Sequence, residues 1–97
     1  MNQAICEAIR NRAVLEFYYD GQNRIVEPHA HGLSTAGNSV LRCYQIEGGS
    51  NSGQVPAWKM MTVSKITSLR ETGRNFSGPR PGYKRGDRGM VEIYCEL

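Results

Sequence analysis

The stretch that decides the fold is residues 13–34, AVLEFYYDGQNRIVEPHAHGLS. In its first half Leu15, Phe17 and Tyr19 alternate with Val14, Glu16 and Tyr18, a period of two among β-formers that predicts a strand with one buried face. Asp20-Gly21-Gln22-Asn23 is turn chemistry, and RIVEPHAHGL then resumes an extended pattern, so the two halves predict a β-hairpin. Pro28 has no N–H to give to a ladder, which predicts that the second strand lies at a sheet edge or is bulged at that point.

Towards the N-terminus, Ala4, Ile5, Ala8 and Ile9 recur at helical spacing with Gln3, Glu7, Arg10 and Asn11 on the other side, and Asn2 is placed to cap the start. A helix of about ten residues does not recover its nucleation cost alone, so it must dock on the hairpin. Towards the C-terminus, SVLRCYQIEG reads as a third strand, GGSNSG as a tip, PAWKMMTVSKI as a fourth strand and GMVEIYCEL as a last one, with Val91, Ile93, Cys95 and Leu97 on one face. Ile66, Leu69, Thr72 and Phe76 fit either a bent strand or a turn of helix, and residues 70–88 read as a basic Gly/Pro-rich loop. The 97 residues suffice for one domain, residues 1–97. It is expected to be mainly β: a small, strongly bent sheet of about five strands, closing towards a barrel so that few edges stay open. Its expected core is Ile5, Ile9, Leu15, Phe17, Val26, Leu41, Val63, Ile66 and Ile93.

Composition excludes several classes. Apolar residues make up 39% and charged residues 22%, near the globular norm, and no apolar run approaches the ~20 residues of a membrane helix. MNQAICEAIRNR lacks the basic start and apolar block of a secretory signal, and Cys6, Cys43 and Cys95 form no CxxC pair. Both features lead to an expectation of a cytoplasmic protein with reduced, mostly buried thiols, of which only Cys43, beside Arg42, has an electropositive neighbour. No GxSxG, GxxxxGK or HExxH motif occurs, so neither an enzyme nor a cofactor is expected.

The net charge of +3 is unevenly spread: residues 70–88 hold six basic side chains against Glu71 and Asp87. Arg24, Arg42, Lys59 and Lys65 are interleaved with Tyr18, Tyr19, Tyr44 and Trp58, a mixture that suits phosphates and stacked bases on one surface. The same residues also read as core aromatics and solvated charges. In the basic stretch, Arg74, Arg80, Lys84, Arg85 and Arg88 stand among Gly78, Gly82, Gly86 and Gly89, which let a backbone approach an anion, with Phe76 or Tyr83 available to stack. A merely solvated loop is the alternative. His29 and His31 share a face if the strand is regular, about 7 Å apart, a chelating spacing. No third ligand is placed by motif, so no metal is expected. His29 reads rather as a hydrogen-bonding group of a ligand pocket, and His31 as a strand-end residue at the surface.

AICEAIRNR (4–12) leading into VLEFYYDG (14–21), then RIVEPHAHGLS (24–34), LRCYQIEG (41–48), and WKMMTVSKITSL (58–69) with TGRNF (72–76), resembles the WYL domain over residues 4 to about 76. Val40, Leu41 and Arg42 stand where the family's Trp-Tyr-Leu is usual, and Lys59 and Lys65 where it has arginines, so positive charge is kept but the two-pronged arginine grip is not. The resemblance implies a short helix before an SH3-like, Sm-like barrel, usually found behind a winged-helix DNA reader in bacterial and phage regulators. On that basis the chain is expected to be a free-standing, ligand-sensing module in transcriptional regulation, binding single-stranded nucleic acid or a nucleotide through Tyr18, Arg24, His29, Arg42, Lys59 and Lys65. A separate DNA-binding regulator would then be its partner; no membrane is implicated. The alternative from another class is a protein-interaction module that self-associates, as a homodimer, through open strand edges.

Overall fold

In the computed structural model, which describes Met1–Leu97, the Asn2 side chain accepts the Ile5 N–H (3.0 Å) and caps the helix α1, Gln3–Asn11. Ile5, Cys6, Ala8 and Ile9 are its buried face, and Arg12, in the left-handed region at φ 53°, ends it. Two strands follow, β1 (Ala13–Tyr19) and β2 (Gln22–Ser34), paired from Leu15↔Val26 to Tyr19↔Gln22. The turn is therefore only Asp20-Gly21, with φ of 51° and 73°, the left-handed pair that a two-residue hairpin needs. Next come β3 (Ser39–Gly48), β4 (Ala57–Thr62), a 3-10 turn at Val63–Lys65, β5 (Thr67–Asn75) and β6 (Met90–Glu96).

The fold is mainly β with one N-terminal helix, but the sheet has six strands rather than five, ordered β4-β3-β2-β1-β5 with β6 paired to β2. The added strand is β5, made of residues that read half as strand and half as loop. It is visible to sequence patterning only weakly because neither face is buried, so no apolar alternation marks it, and its pairing with β1 runs through two register shifts. Arg70 and Arg74 consequently sit on a strand, and the basic loop is residues 76–89 rather than 70–88.

Pro28 explains how a proline can occupy the most heavily paired strand. Along one edge of β2, β1 covers residues 22–26 and β6 takes over from Ala30 to Ser34, so Pro28 falls in the gap between two partners. Along the other edge, against β3, the register shifts between Pro28 and Ala30. The strand is thus bulged and central, not an edge.

The sheet curls around α1. Ile5, Ala8 and Ile9 pack on Ala13, Leu15, Phe17, Val26, Leu41, Cys43 and Met61, with Val63 and Ile66 at the margin. No ladder joins β4 to β5, so the sheet is open; the Tyr19 hydroxyl accepts the Thr62 N–H (2.9 Å) across part of that opening. A second, small apolar cluster, Ala30, Val40 and Met90 with Met60, Tyr83 and Ile93, lies beneath loop 76–89. Val91 is 65% exposed and leaves the face expected to hold Ile93, Cys95 and Leu97, because β6 shifts register twice against β2.

Cys6 and Cys95 form a disulfide that ties α1 to β6, which corrects the expectation of three reduced thiols and removes the cysteine argument for a cytoplasmic location. The two half-cystines are 89 residues apart and nothing in their local sequence pairs them; helix docking brings them together. Cys43 alone is free, fully buried, and burial pushes its thiol up to about 12 despite Arg42 and Arg24 nearby, so it is not a nucleophile at neutral pH. No helix is long and apolar enough to cross a membrane.

Candidate anion-binding site

Alternation along a strand places Arg42 and Tyr44 on the opposite face of β3 from Leu41 and Cys43, which are core. Across β4, Arg42 pairs with Met60 and Tyr44 with Trp58, so these four side chains form one outer wall. Loop 76–89 folds back over that wall. Trp58 and Tyr83 stack at 6.2 Å between centroids, Tyr44 meets Trp58 edge-on at 5.4 Å, and Arg80 lies 4.9 Å from the Tyr44 ring.

His29 is the clasp that holds the loop. It is fully buried, 4.7 Å from Trp58, 5.4 Å from Phe76 and 5.1 Å from Tyr83. Its Nε2 accepts the Arg80 backbone N–H (3.1 Å), so Nδ1 carries the proton and donates it to the Glu27 carbonyl (2.8 Å). Burial holds the imidazole below its ordinary pKa, its hydrogen bond to the Glu27 carbonyl and then the Glu27 carboxylate opposing only in part. His29 is therefore a structural acceptor behind the site, which corrects its expected role as a pocket donor to ligand. His31 is equally buried rather than a surface strand-end residue: its Nε2 accepts the Asn2 N–H (3.0 Å), its Nδ1 donates to the Val40 carbonyl (2.8 Å), and burial lowers its pKa too. The bulge after Pro28 breaks the alternation, so the two rings lie in different aromatic settings, His29 among Trp58, Phe76 and Tyr83 and His31 against Tyr94; the chelating spacing is not realised.

Carboxylates answer many of the expected anchors. Arg80 grips Glu27 through two bonds (2.7 and 2.9 Å), Arg42 grips Asp87 (2.7 and 3.3 Å), Arg85 meets Glu96 (3.2 Å) and Arg74 meets Glu47 (2.8 Å). Arg42 holds the Asp87 carboxyl below its usual range, and Asp87 also accepts the Gly89 N–H (2.8 Å). Three of these pairs, with the Trp58 Nε1–H donated to the Pro81 carbonyl (3.2 Å), pin the loop to the sheet and the last strand.

The result is a cleft of about 560 Å³ between wall and loop, lined by Arg42, Trp58, Tyr83, Lys84, Arg85 and Arg88, with Asp87 its one acid and Gly82 and Gly86 exposing backbone. Lys84 and Arg88 have no carboxylate within 4.0 Å and are exposed. Of the cations expected to share a binding wall, Arg24, Arg42, Lys59 and Lys65, Arg42 alone lines this cleft, and of the interleaved aromatic residues Trp58 alone does. Lys59 pairs across from Cys43 and so faces the core side, where it joins Arg24 at a second, smaller opening. Tyr18 stands 47% exposed beside Thr67 on β5, and Lys65 is exposed on the 3-10 turn; neither reaches either opening. Trp58 and Tyr83 emerge as the stacking faces, and sequence patterning could only name them as candidates because their meeting depends on a return of the chain 25 residues later.

Comparison of the chain with protein-family models, with curated proteins and with solved structures returns no match.

Proposed function

We propose that this chain is a non-enzymatic, ligand-sensing module of the WYL type that binds a nucleotide or a short single-stranded nucleic acid in the cleft between Trp58 and loop 76–89. Its finer fold would be a small SH3-like, Sm-like barrel left open between β4 and β5, and its setting bacterial or phage transcriptional regulation. The observation that carries the reading is that two cations without carboxylate partners, Lys84 and Arg88, share one cleft with the paired rings of Trp58 and Tyr83. Lys84 and Arg88 would take the phosphate by charge-assisted hydrogen bonds, and the indole would stack on the base. A volume of about 560 Å³ lies in the range of small-molecule sites and suits one or two nucleotides rather than a long strand. The resemblance over residues 4–76 supports the same class of ligand.

The rival, a self-associating module, would use the open edges β4 and β5. Along β5, Arg70, Glu71 and Arg74 and the two register shifts discourage strand addition, so the anion-binding reading stands first.

Trp58 is the only tryptophan, so its fluorescence reports the site directly. Titration with nucleoside monophosphates and short oligonucleotides is expected to change the emission, with Lys84→Glu and Arg88→Glu each weakening binding. If both cations meet phosphates of a single strand, the logarithm of affinity falls with log salt at a slope of about −1.4. An unchanged emission, or an affinity equal at low and moderate salt, would remove the proposal.

A further inference from the structure

Arg24 presents an imbalance that nothing in the aromatic cleft explains. It is 3% exposed, yet its guanidinium meets only neutral partners: the Tyr19 carbonyl, from Nε and Nη2 (3.3 and 3.1 Å), the Gln45 Oε1, from Nη1 (3.3 Å), and the face of the Tyr19 ring, 5.5 Å from its centroid. A buried cation is ordinarily matched by a carboxylate, and none lies within 4.0 Å of it. Gln45 is not free to be replaced by a swinging acid, because its amide is locked by donation to the Glu47 and Gly49 carbonyls (3.0 and 2.8 Å).

Arg24 also lines the second opening. It is a recess of about 210 Å³ in which Arg24 stands with Lys59, Ser50 and Ser52, over the apolar side chains of Met60 and Met61 and the ring of Tyr19. The Lys59 ammonium donates to the Ser50 and Ser52 hydroxyls (2.8 and 3.1 Å) and to no carboxylate. Those hydroxyls are held in turn: the Ser52 N–H donates to Ser50 Oγ and the Gln54 N–H to Ser52 Oγ (both 3.3 Å). The one acid on the rim, Asp20, is exposed, accepts from Asn51 (3.3 Å) and reaches neither cation. Two like charges thus line one small recess, each resting on neutral oxygen, and the Ser50 and Ser52 hydroxyls, bonded to each other (3.0 Å), leave one hydroxyl proton free to be donated.

We propose that this recess binds a single tetrahedral oxyanion, phosphate or sulfate, between Arg24 and Lys59, with one hydroxyl of the bonded Ser50–Ser52 pair as a further donor. The anion supplies the countercharge that the fold leaves out, so its binding stabilises the folded state. About 210 Å³ equals the share of roughly seven waters in the liquid, enough for one such ion and a partial hydration shell, and too little for a nucleotide. Trp58 and Lys59 are consecutive residues of β4 and point to opposite faces, so this site is separate from the aromatic cleft and stands or falls independently of it.

The test uses inorganic phosphate and sulfate at constant ionic strength, with chloride as the control, followed by 1H–15N spectra and by calorimetry. Saturable one-to-one binding is expected, with shifts at the Arg24 Nε–H and the Ser50 to Gly53 amides, and with Lys59→Gln weakening it roughly tenfold through loss of a charge-assisted contact. Because Arg24→Gln at a buried site can unfold the chain, Lys59→Gln, whose folding the same spectra check, carries the mutational arm. Lys65→Gln, exposed on the 3-10 turn and lining neither opening, is expected to leave phosphate binding unchanged. Spectral changes confined to residues 82–88, no saturation, or equal affinity in Lys59→Gln would each overturn the proposal. A nucleoside monophosphate that shifts both regions would support this site only if Lys59→Gln abolishes the shifts at Ser50 to Gly53 alone; their persistence would refute it.

Discussion

Mild acid is expected to weaken this fold through its two histidines. Both imidazoles are fully buried, and both accept a backbone N–H on Nε2, from Arg80 and from Asn2. A proton added at either Nε2 would face another N–H, so the hydrogen bond is lost and a charge is buried, offset only in part at His29 by the Glu27 carboxylate. Burial lowers both pKa values from the ordinary 6.5. The unfolded chain therefore takes up these protons first: the contribution is complete above about pH 6.5 and is lost as pH falls from there through the lowered folded-state values. Within that window each neutral histidine costs about 1.4 kcal/mol per pH unit, so the pair gives a slope of up to about 2.7 kcal/mol per unit. Urea unfolding at pH 7.5, 6 and 5 measures it, and long-range 1H–15N spectra identify the unprotonated nitrogen of each ring. His29→Phe, which leaves the Arg80 N–H unpaired, is expected to cost about 1–3 kcal/mol at pH 7.5 and to reduce the slope by about half. A stability that is flat between pH 7.5 and 5, or an Nε2–H tautomer at either ring, would refute the reasoning.

Three further outcomes are expected. A Cβ on Gly32 would run into the Glu92 carbonyl oxygen and come within 2.9 Å of Met90 Sδ, so Gly32→Ala is expected to part β6 from β2 and cost about 1–3 kcal/mol, read by thermal unfolding. Thiol titration of the unreduced, denatured chain is expected to find one thiol, Cys43, and Cys6→Ser with Cys95→Ser to lower stability by at most about 4–5 kcal/mol, the chain-entropy limit for so long a loop. Asp87→Asn removes the charge and the oxygen that accepts from Arg42 Nε, while its amide oxygen can still take the Gly89 N–H, and it is expected to cost about 1–2 kcal/mol at neutral pH. Asp87 has a lowered pKa, so its contribution is full above the ordinary 3.8 and fades as pH falls below it, and the variant and parent should converge in strong acid.

Local rules carried the elements a long way. The alternation of Leu15, Phe17 and Tyr19, the Asp20-Gly21 turn, the Asn2 cap and the helical apolar face are decided within a few residues of themselves, and each is found in place. Ile5, Ile9, Leu15, Phe17, Val26 and Leu41 are core, as that patterning requires. The site was less legible. Arg24, Arg42 and Lys59 were all readable as cations on strands, but a strand sends neighbours to opposite faces, and the register of Cys43 with Lys59 and of Arg42 with Met60 assigns them to different openings.

By itself, then, the sequence determined the kinds of elements, their order and the identity of most core residues, because propensity, capping and periodicity act over short separations. The tertiary structure decided which charges remain free. Arg42, Arg74, Arg80 and Arg85 are paired by acids 11 to 53 residues away, Cys6 finds Cys95 across 89, and both histidines lose their expected faces to a bulge and distant backbone donors. Such pairings depend on how the chain returns upon itself, and a charge is available to a ligand only where that return leaves no carboxylate beside it.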